Sequence, residues 1–120
     1  MADVVALVDD LFFQSKMMET AKQVGVELRA CSTPEALAAE ISGASPRLVV
    51  IDLNAKGNPI EALRQVQSLA SGIPLIAYLS HVQTDLAESA RAAGCREVMP
   101  RSKFTRDLAT ILARAKSKTT

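Results

Sequence analysis

The chain alternates short runs of apolar residues with longer segments in which apolar and polar residues repeat with a helical period. The most apolar run, 48–51 (LVVI), is typical of a strand that is buried on both faces of a sheet. The run at 26–31 instead alternates in the manner of an edge strand. Five strands are therefore predicted, and they cover residues 3–9, 26–31, 47–52, 73–79 and 95–99.

A helix is predicted after each of these strands. In the first helix, apolar residues recur at Phe13, Met17, Ala21 and Val24, and Gly25 ends the stripe. The third helix is expected to run from Pro59 to about Ala70, and the fourth over 83–94 with Gly94 as its stop. The caps predicted for the second, third and fifth helices are Thr33, Asn58 and Ser102.

Strands that alternate with helices form a parallel sheet, because each helix carries the chain back to the start of the next strand in a right-handed crossover. With 120 residues the chain is long enough to bury a core, and we predict one domain over residues 1–120 with a polar tail at about 116–120. Ligands of open α/β sheets bind at the carboxyl ends of the strands. The polar residues predicted at that edge are Asp9, Asp10, Asp52, Ser80 and Arg101.

Three carboxylates that meet at one edge repel one another and raise each other's pKa unless a divalent cation lies among them. Oxygen ligands without Cys or His favour Mg²⁺, which is bound through one or two carboxylates together with phosphate oxygens. In such a site Asp52 is suited to attack phosphorus while Arg101 neutralises the phosphoryl oxygens. The alternative is structural: Asp9, Asp10 and Asp52 are turn or cap residues, Ser80 is a helix cap, and Arg101 is a solvated charge.

The overall charge, the length of the apolar runs and the cysteines exclude several classes of protein. The chain has 14 basic and 13 acidic residues, which gives no electrostatic basis for binding nucleic acid or a membrane surface. Its apolar runs are far shorter than the roughly 20 residues that span a bilayer. Cys31 and Cys95 form no CxxC motif and His81 is the one histidine, which excludes the usual zinc sites. We therefore expect a cytoplasmic protein with reduced cysteines.

The ordered set of residues at the strand ends resembles the receiver domain of two-component response regulators, over about residues 3–115. The acidic pair of that family matches Asp9 and Asp10, and its phospho-accepting aspartate matches Asp52. Its switch hydroxyl matches Ser80. The resemblance implies a doubly wound, flavodoxin-like α/β fold with five parallel strands in the order 2-1-3-4-5 and five helices.

The resemblance also implies a cofactor, Mg²⁺. Its ligands in this chain would be the side chains of Asp9, Asp10 and Asp52 and the backbone carbonyl oxygen of Asn54. Asn54 holds the position two residues after the phospho-accepting aspartate.

Three positions depart from the pattern of the family. Arg101 stands where a lysine is usual, and its planar fork is not equivalent to the point charge of a lysine. His81 follows the switch hydroxyl where a small residue is usual, and Val98 stands where an aromatic side chain usually changes rotamer. These departures predict an atypical receiver.

The resemblance implies a signalling module that is not an enzyme and that accepts a phosphoryl group on Asp52. The donor would be a sensor histidine kinase or a phosphotransfer protein. Since no output domain is expected, the signal would pass to a second protein through the fourth helix, the fifth strand and the fifth helix.

Other functions remain open. One is a degenerate receiver that binds a protein partner independently of phosphorylation. Another is a metal-dependent hydrolase, although the second carboxylate that such enzymes use two residues after the nucleophile is here Asn54. A nucleotide-binding flavodoxin relative is disfavoured because no glycine-rich loop follows the first strand.

Overall fold

The computed structural model describes residues 2–43, 46–69, 72–80 and 84–116. Strands and helices alternate along the chain, as the hydrophobic pattern predicts. The strands are β1 (Val4–Leu7), β2 (Leu28–Cys31), β3 (Leu48–Asp52), β4 (Leu75–Leu79) and β5 (Glu97–Pro100). The helices are α1 (Leu11–Val24), α2 (Pro34–Gly43), α3 (Pro59–Leu69), α4 (Thr84–Ala92), α5 (Arg101–Arg106) and α6 (Leu108–Ala113).

The five strands form one parallel sheet in the order β2-β1-β3-β4-β5. All five residues of the central strand β3 are buried, which confirms the prediction of a strand covered on both faces. The edge strand β2 exposes its second residue, Arg29, and buries its two ends. The predicted doubly wound α/β fold with the order 2-1-3-4-5 is therefore confirmed.

Three of the predicted helix ends are made by the expected residues. The Thr33 hydroxyl oxygen accepts a hydrogen bond from the Ala36 N–H (3.1 Å), and Asn58 Oδ1 accepts one from the Glu61 N–H (3.2 Å). Gly25 ends α1 in the left-handed conformation with φ 84°, which a side chain would disfavour.

The fifth predicted helix differs from expectation in two ways. It is divided at Asp107 into α5 and α6. It also begins at Arg101 directly after Pro100, so the prediction that Ser102 caps it is wrong. Pro100 occupies the cap position in an extended conformation and has no side-chain donor or acceptor with which to cap the helix.

The helices cover the two faces of the sheet with different kinds of side chain. We call the side under α2, α3 and α4 the aliphatic face, since its buried cluster holds no aromatic ring. We call the side under α1, α5 and α6 the aromatic face, since it buries Phe13, Tyr78 and Phe104. Helix residues of the aliphatic face include Leu37, Ile41, Ala62, Leu63, Val66 and Ala90. Those of the aromatic face include Met17, Ala21, Leu108, Ile111 and Leu112.

Both cysteines are buried free thiols. Burial raises the pKa of Cys95 to about 11 and also raises the pKa of Cys31. Because the thiolate is the reactive form, neither side chain is suited to redox or nucleophilic chemistry at neutral pH.

Within the described ranges, no helix has both the length and the apolar character needed to cross a membrane.

Candidate functional site

The parallel register brings the carboxyl ends of four neighbouring strands to one edge of the sheet. Leu7 of β1 pairs with Ile51 of β3, and Leu79 of β4 pairs with Pro100 of β5. The polar residues predicted for the site follow these positions directly. Asp9 and Asp10 come shortly after β1, and Asp52 ends β3 with Asn54 two residues further on. Ser80 follows β4, and Arg101 follows β5.

Asp52 is the one buried charged side chain among the described residues, with 6% of its surface exposed. Its Oδ1 accepts a hydrogen bond from the Asn54 N–H (2.8 Å). Burial raises the pKa of Asp52, the negative charge of Asp9 raises it further, and the Asn54 N–H opposes the shift. A carboxylate in this position is poorly solvated and costly to keep charged.

Asp10 has the opposite environment. Its Oδ1 accepts hydrogen bonds from the backbone N–H groups of Phe12 (3.0 Å) and Phe13 (3.2 Å), which makes it the N-cap of α1. Its Oδ2 accepts a hydrogen bond from Arg101 Nη2 at 3.0 Å. The Arg101 hydrogen bond, together with the capping bonds, lowers the pKa of Asp10. The expectation that clustered carboxylates raise each other's pKa therefore holds for Asp52 and is wrong for Asp10.

Arg101 lies between a carboxylate and an aromatic ring. Its guanidinium carbon is 4.4 Å from the centroid of the Phe13 ring, a cation–π distance, while Nη2 contacts Asp10. The Arg101 and Asp10 side chains are 37% and 36% exposed, so water screens the ion pair. In this resting position the cation is directed at Asp10 rather than at Asp52.

Two side chains tie the loops of the site together. Asp9 Oδ2 accepts a hydrogen bond from the Lys56 N–H (2.7 Å), which joins the loop after β1 to the loop after β3. Asn54 Oδ1 accepts one from the Ser80 N–H (2.6 Å), which joins the loop after β3 to the end of β4. The Asn54 side chain therefore has a structural contact that its position in the sequence does not reveal.

The acidic side chains at this edge offer oxygen atoms as metal ligands, and Mg²⁺ prefers oxygen ligands. The arrangement does not assemble them, however. Across residues 2–43, 46–69, 72–80 and 84–116, no group of three or more His, Cys, Asp or Glu side chains is placed to hold a metal ion. Asp10 is occupied by Arg101, and Asp9 by the Lys56 N–H. The oxygen ligands therefore suit Mg²⁺ in type, but in this conformation they are not gathered into one site.

Tyr78 belongs to the site although nothing in the sequence pattern singles it out. It pairs with Asp52 across β3 and β4, and it is 1% exposed. Its ring stacks on Phe104 (centroids 4.5 Å apart) and meets Phe13 edge-on (5.4 Å). Its hydroxyl has no hydrogen-bond partner in the described part of the chain. The one feature of the sequence that could have drawn attention to Tyr78 is its hydroxyl, which is the polar side-chain group in the otherwise apolar run 73–79.

The other two departures from the receiver pattern have different outcomes. Val98 is half-buried and packs against the aliphatic face, away from the ring cluster. His81 lies outside the residues that the structure describes.

No protein-family model and no curated protein sequence matches the chain significantly. Solved structures do resemble it. A response regulator receiver domain protein (CheY-like) from Methanospirillum hungatei JF-1 has a TM-score of 0.82 and 17% identity, over 91% of this chain and 88% of that one. The beryllofluoride-activated NtrC4 receiver domain dimer has a TM-score of 0.77 and 14% identity, over 94% and 98%.

A longer protein also matches. NtrX from Brucella abortus in complex with ADP has a TM-score of 0.80 and 20% identity, over 95% of this chain and 26% of that chain. The chain thus spans about a quarter of the length of that NtrX chain. These likenesses show that the chain has the receiver-domain fold.

Proposed function

We propose that the protein is an atypical receiver that accepts a phosphoryl group on Asp52. The observation that carries this proposal is the environment of Asp52: it is a buried carboxylate at the carboxyl end of the central strand. Asp9, which raises its pKa, and the cation Arg101 lie at the same edge. Two acidic neighbours and one cation around a poorly solvated carboxylate suit a group that reacts with phosphorus.

In the proposed step, a phosphoryl group passes from a nitrogen or oxygen atom of the donor to an oxygen atom of the Asp52 carboxylate. An oxygen of the Asp52 carboxylate forms the new O–P bond. The bond from phosphorus to the donor breaks at the same time, and its electron pair leaves with the nitrogen of a phosphohistidine or the oxygen of a small phosphodonor. Because Oδ1 already accepts from the Asn54 N–H, we assign the attack to Oδ2.

Arg101 and Ser80 are assigned the supporting roles. After it leaves Asp10, the guanidinium of Arg101 is suited to bind phosphoryl oxygens through two N–H groups. Ser80 is assigned the switch hydroxyl, and the bond from its N–H to Asn54 Oδ1 supports this by keeping Ser80 close to the loop that follows Asp52.

Mg²⁺ is the cofactor of this proposal, with Asp9, Asp10, Asp52 and the Asn54 carbonyl oxygen as ligands. It would supply positive charge next to the phosphoryl group. Binding requires Arg101 to release Asp10, because the two cations compete for the same carboxylate. We therefore propose that Mg²⁺ binds more weakly to this chain than to a site with preassembled carboxylates.

The proposed partners are a sensor histidine kinase or phosphotransfer protein as donor and a second protein as receiver of the signal. For the second protein we propose the surface formed by α4, β5 and the two helices α5 and α6, which together replace the predicted fifth helix. Helix α5 begins at Arg101, so a shift of this side chain acts directly at that surface.

Mass spectrometry tests the proposal. The protein is incubated with Mg²⁺ and a small phosphodonor such as acetyl phosphate, and an adduct of about 80 Da is expected, the mass of one phosphoryl group. Asp52→Asn should abolish it. Asp107→Asn is the matched control, because Asp107 is an aspartate outside this edge that pairs with Lys103. An adduct that persists in Asp52→Asn would move the acceptor elsewhere.

One observation favours a second function. The Arg101–Asp10 ion pair and the unassembled carboxylates are what a degenerate receiver would have if its site no longer bound metal. If no adduct forms at donor concentrations that modify a typical receiver, the protein is better described as a binding module that works without phosphorylation.

A further inference from the structure

The buried hydroxyl of Tyr78 is a polar group that the fold leaves without a partner. A hydroxyl that is removed from water and makes no hydrogen bond costs about 1–3 kcal/mol. Within the described residues the Tyr78 hydroxyl makes no hydrogen bond of normal distance and angle, and the residue is only 1% exposed. Buried polar groups in native proteins nearly always have a partner, so an unpaired one calls for an explanation, and a hydrogen bond made in another state is one.

Asp52 is the acceptor that this hydroxyl faces. Asp52 and Tyr78 are paired residues on neighbouring strands, and paired residues direct their side chains to the same face. That face is the aromatic one, since Tyr78 and Val50, two residues before Asp52, both belong to its cluster. After burial, the charge of Asp52 is the largest cause that raises the pKa of the phenol, and a hydrogen-bond interaction with the same side chain adds a smaller rise. The two groups are therefore already neighbours, although the contact does not have the distance and angle of a formed hydrogen bond.

Asp10, the other carboxylate whose charge Tyr78 experiences, already has its partners. Its Oδ1 accepts from two backbone N–H groups and its Oδ2 accepts from Arg101. The bond from the Asn54 N–H to Asp52 involves Oδ1 only. Of the two carboxylates, Asp52 is therefore the one that can accept a hydrogen bond from the Tyr78 hydroxyl.

We propose that Tyr78 is a positioning residue for Asp52, whose hydroxyl donates a hydrogen bond to the modified side chain when a phosphoryl group is attached. The inference rests on the proposed function, because it needs an adduct at Asp52. A phosphorylated aspartate adds strong, negatively charged acceptor oxygens at this point. The unused donor of the resting protein then gains a partner, which makes the modified state more stable relative to the resting one.

The three aromatic rings connect the proposed hydrogen bond of Tyr78 to two helices at the surface. Tyr78 lies flat on Phe104, with 16° between the two ring planes, and Phe104 belongs to α5. The ring also meets Phe13 of α1, the ring on which Arg101 rests. A movement of the hydroxyl toward residue 52 thus shifts the packing of α1 and α5. In this chain the aromatic side chain that responds to the site is on β4, whereas Val98 of β5 offers no ring.

The protein carries its own reporter for the test, because it has one tyrosine and no tryptophan. Beryllofluoride with Mg²⁺ is added as the phosphoryl mimic, fluorine NMR establishes whether the adduct forms, and tyrosine absorption and emission follow Tyr78. We expect the adduct to shift the phenol absorption to longer wavelength and to quench its emission.

Tyr78→Phe removes only the hydroxyl. In the absence of beryllofluoride we expect its thermal stability to be unchanged or higher, since the hydroxyl has no partner to lose. Its affinity for beryllofluoride should fall about tenfold, the value of one hydrogen bond to a charged group. Val66→Ala, which removes methyl groups on the aliphatic face, is the control for general destabilisation and should leave this affinity unchanged.

Each remaining outcome overturns the inference in a recognisable way. An adduct that leaves the tyrosine spectrum unchanged, with equal affinities for wild type and Tyr78→Phe, removes the role of Tyr78 and leaves the phosphoacceptor proposal in place. An equal loss of affinity in Val66→Ala and Tyr78→Phe shows that only stability matters. The absence of any fluorine signal from an adduct, at all beryllofluoride concentrations, overturns both proposals together.

Discussion

The two faces of the sheet are both fully packed, yet they differ in what they place near the acceptor edge. On the aliphatic face, α2, α3 and α4 cover the strands with Leu, Ile, Val and Ala side chains. On the aromatic face, α1, α5 and α6 enclose three rings in mutual contact. Asp52 points to the second face, and Arg101 lies on one of its rings.

This difference suggests separate roles for the two faces: the aliphatic face mainly stabilises the fold, and the aromatic face transmits structural changes from residue 52. Aliphatic side chains interlock in many equivalent ways, and they stabilise the fold mainly through the apolar area that they bury. Flat rings have fewer favourable arrangements, so a displacement of one ring alters the position of the next. The aromatic face is therefore where a change at residue 52 can reach two helices, and the aliphatic face is where it should have little effect.

The largest expected effect comes from truncating one buried side chain on each face. Phe104→Ala should lower the free energy of unfolding by about 3–5 kcal/mol and Leu63→Ala by about 2–5 kcal/mol, because each leaves a cavity. Urea denaturation measures both losses. Only Phe104→Ala should also change the near-ultraviolet circular dichroism of Tyr78, since only that variant removes its stacking partner.

The comparison of the two faces fails if Leu63→Ala alters the tyrosine signal as strongly as Phe104→Ala. Where Phe104→Ala is too unstable to study, Phe104→Leu keeps most of the apolar volume and still removes the stacked ring. It should reproduce the spectroscopic change with a smaller loss of stability.

The next effect is a gain of stability in Asp52→Asn. Because burial raises the pKa of Asp52, the folded state binds more protons than the unfolded state just above the ordinary pKa of about 4. Stability is therefore lost as the pH rises through the pKa of the folded state. The asparagine carries no charge, so the variant should be more stable than wild type at pH 7, by about 1.4 kcal/mol for each unit by which the pKa is raised.

Thermal denaturation at several pH values checks this prediction. The advantage of Asp52→Asn should disappear as the pH approaches the ordinary pKa of an aspartate, where the wild-type carboxyl is protonated in both states. A variant that is less stable than wild type at pH 7 would show that Asp52 has favourable partners beyond the Asn54 N–H.

The fold could be predicted from the sequence because its main determinants are local. The apolar run 48–51 and the stripe that includes Phe13 and Met17 have the periods of a buried strand and an amphipathic helix, and alternation of the two gives a parallel sheet. The ends of the elements were less accurate. β1 ends at Leu7 rather than at Asp9 as predicted, and Asp10, three residues later, is the N-cap of α1.

The position of the site residues at one edge also follows from topology, but their pairing does not. The contact of Arg101 with Asp10 joins residues 91 positions apart and depends on side-chain rotamers. The missing partner of the Tyr78 hydroxyl is a property of packing that no sequence pattern encodes. The functional roles assigned to these residues stay predictions until the phosphorylation experiment is done.

A smaller effect with the opposite sign is expected for Asp10→Asn, which keeps a capping side chain and removes the charge. The pKa of Asp10 is lowered by Arg101, so its charge contributes stability above the ordinary pKa, and this is lost as the pH falls through the lowered pKa. Asp10→Asn should therefore be less stable than wild type at pH 7 and equal to it in acid. The control Asn58→Ala should cost about 1 kcal/mol at every pH, because its cap does not titrate.

The smallest expected effect concerns Arg101→Gln and the competition between the guanidinium and Mg²⁺ for Asp10. The ion pair is partly exposed and the cation–π contact with Phe13 is weak, so the change in stability without metal should be slight. Mg²⁺ should nevertheless bind the variant about two- to fivefold more tightly, because Asp10 no longer has to exchange one cation for another. The measurement is the Mg²⁺ concentration at which the unfolding temperature rises, since a ligand of the folded state stabilises it by mass action.

Arg29→Gln, which removes an ion pair with Glu40 far from this edge, should leave that concentration unchanged. An equal Mg²⁺ response in wild type and Arg101→Gln would mean that the resting ion pair does not obstruct the metal site.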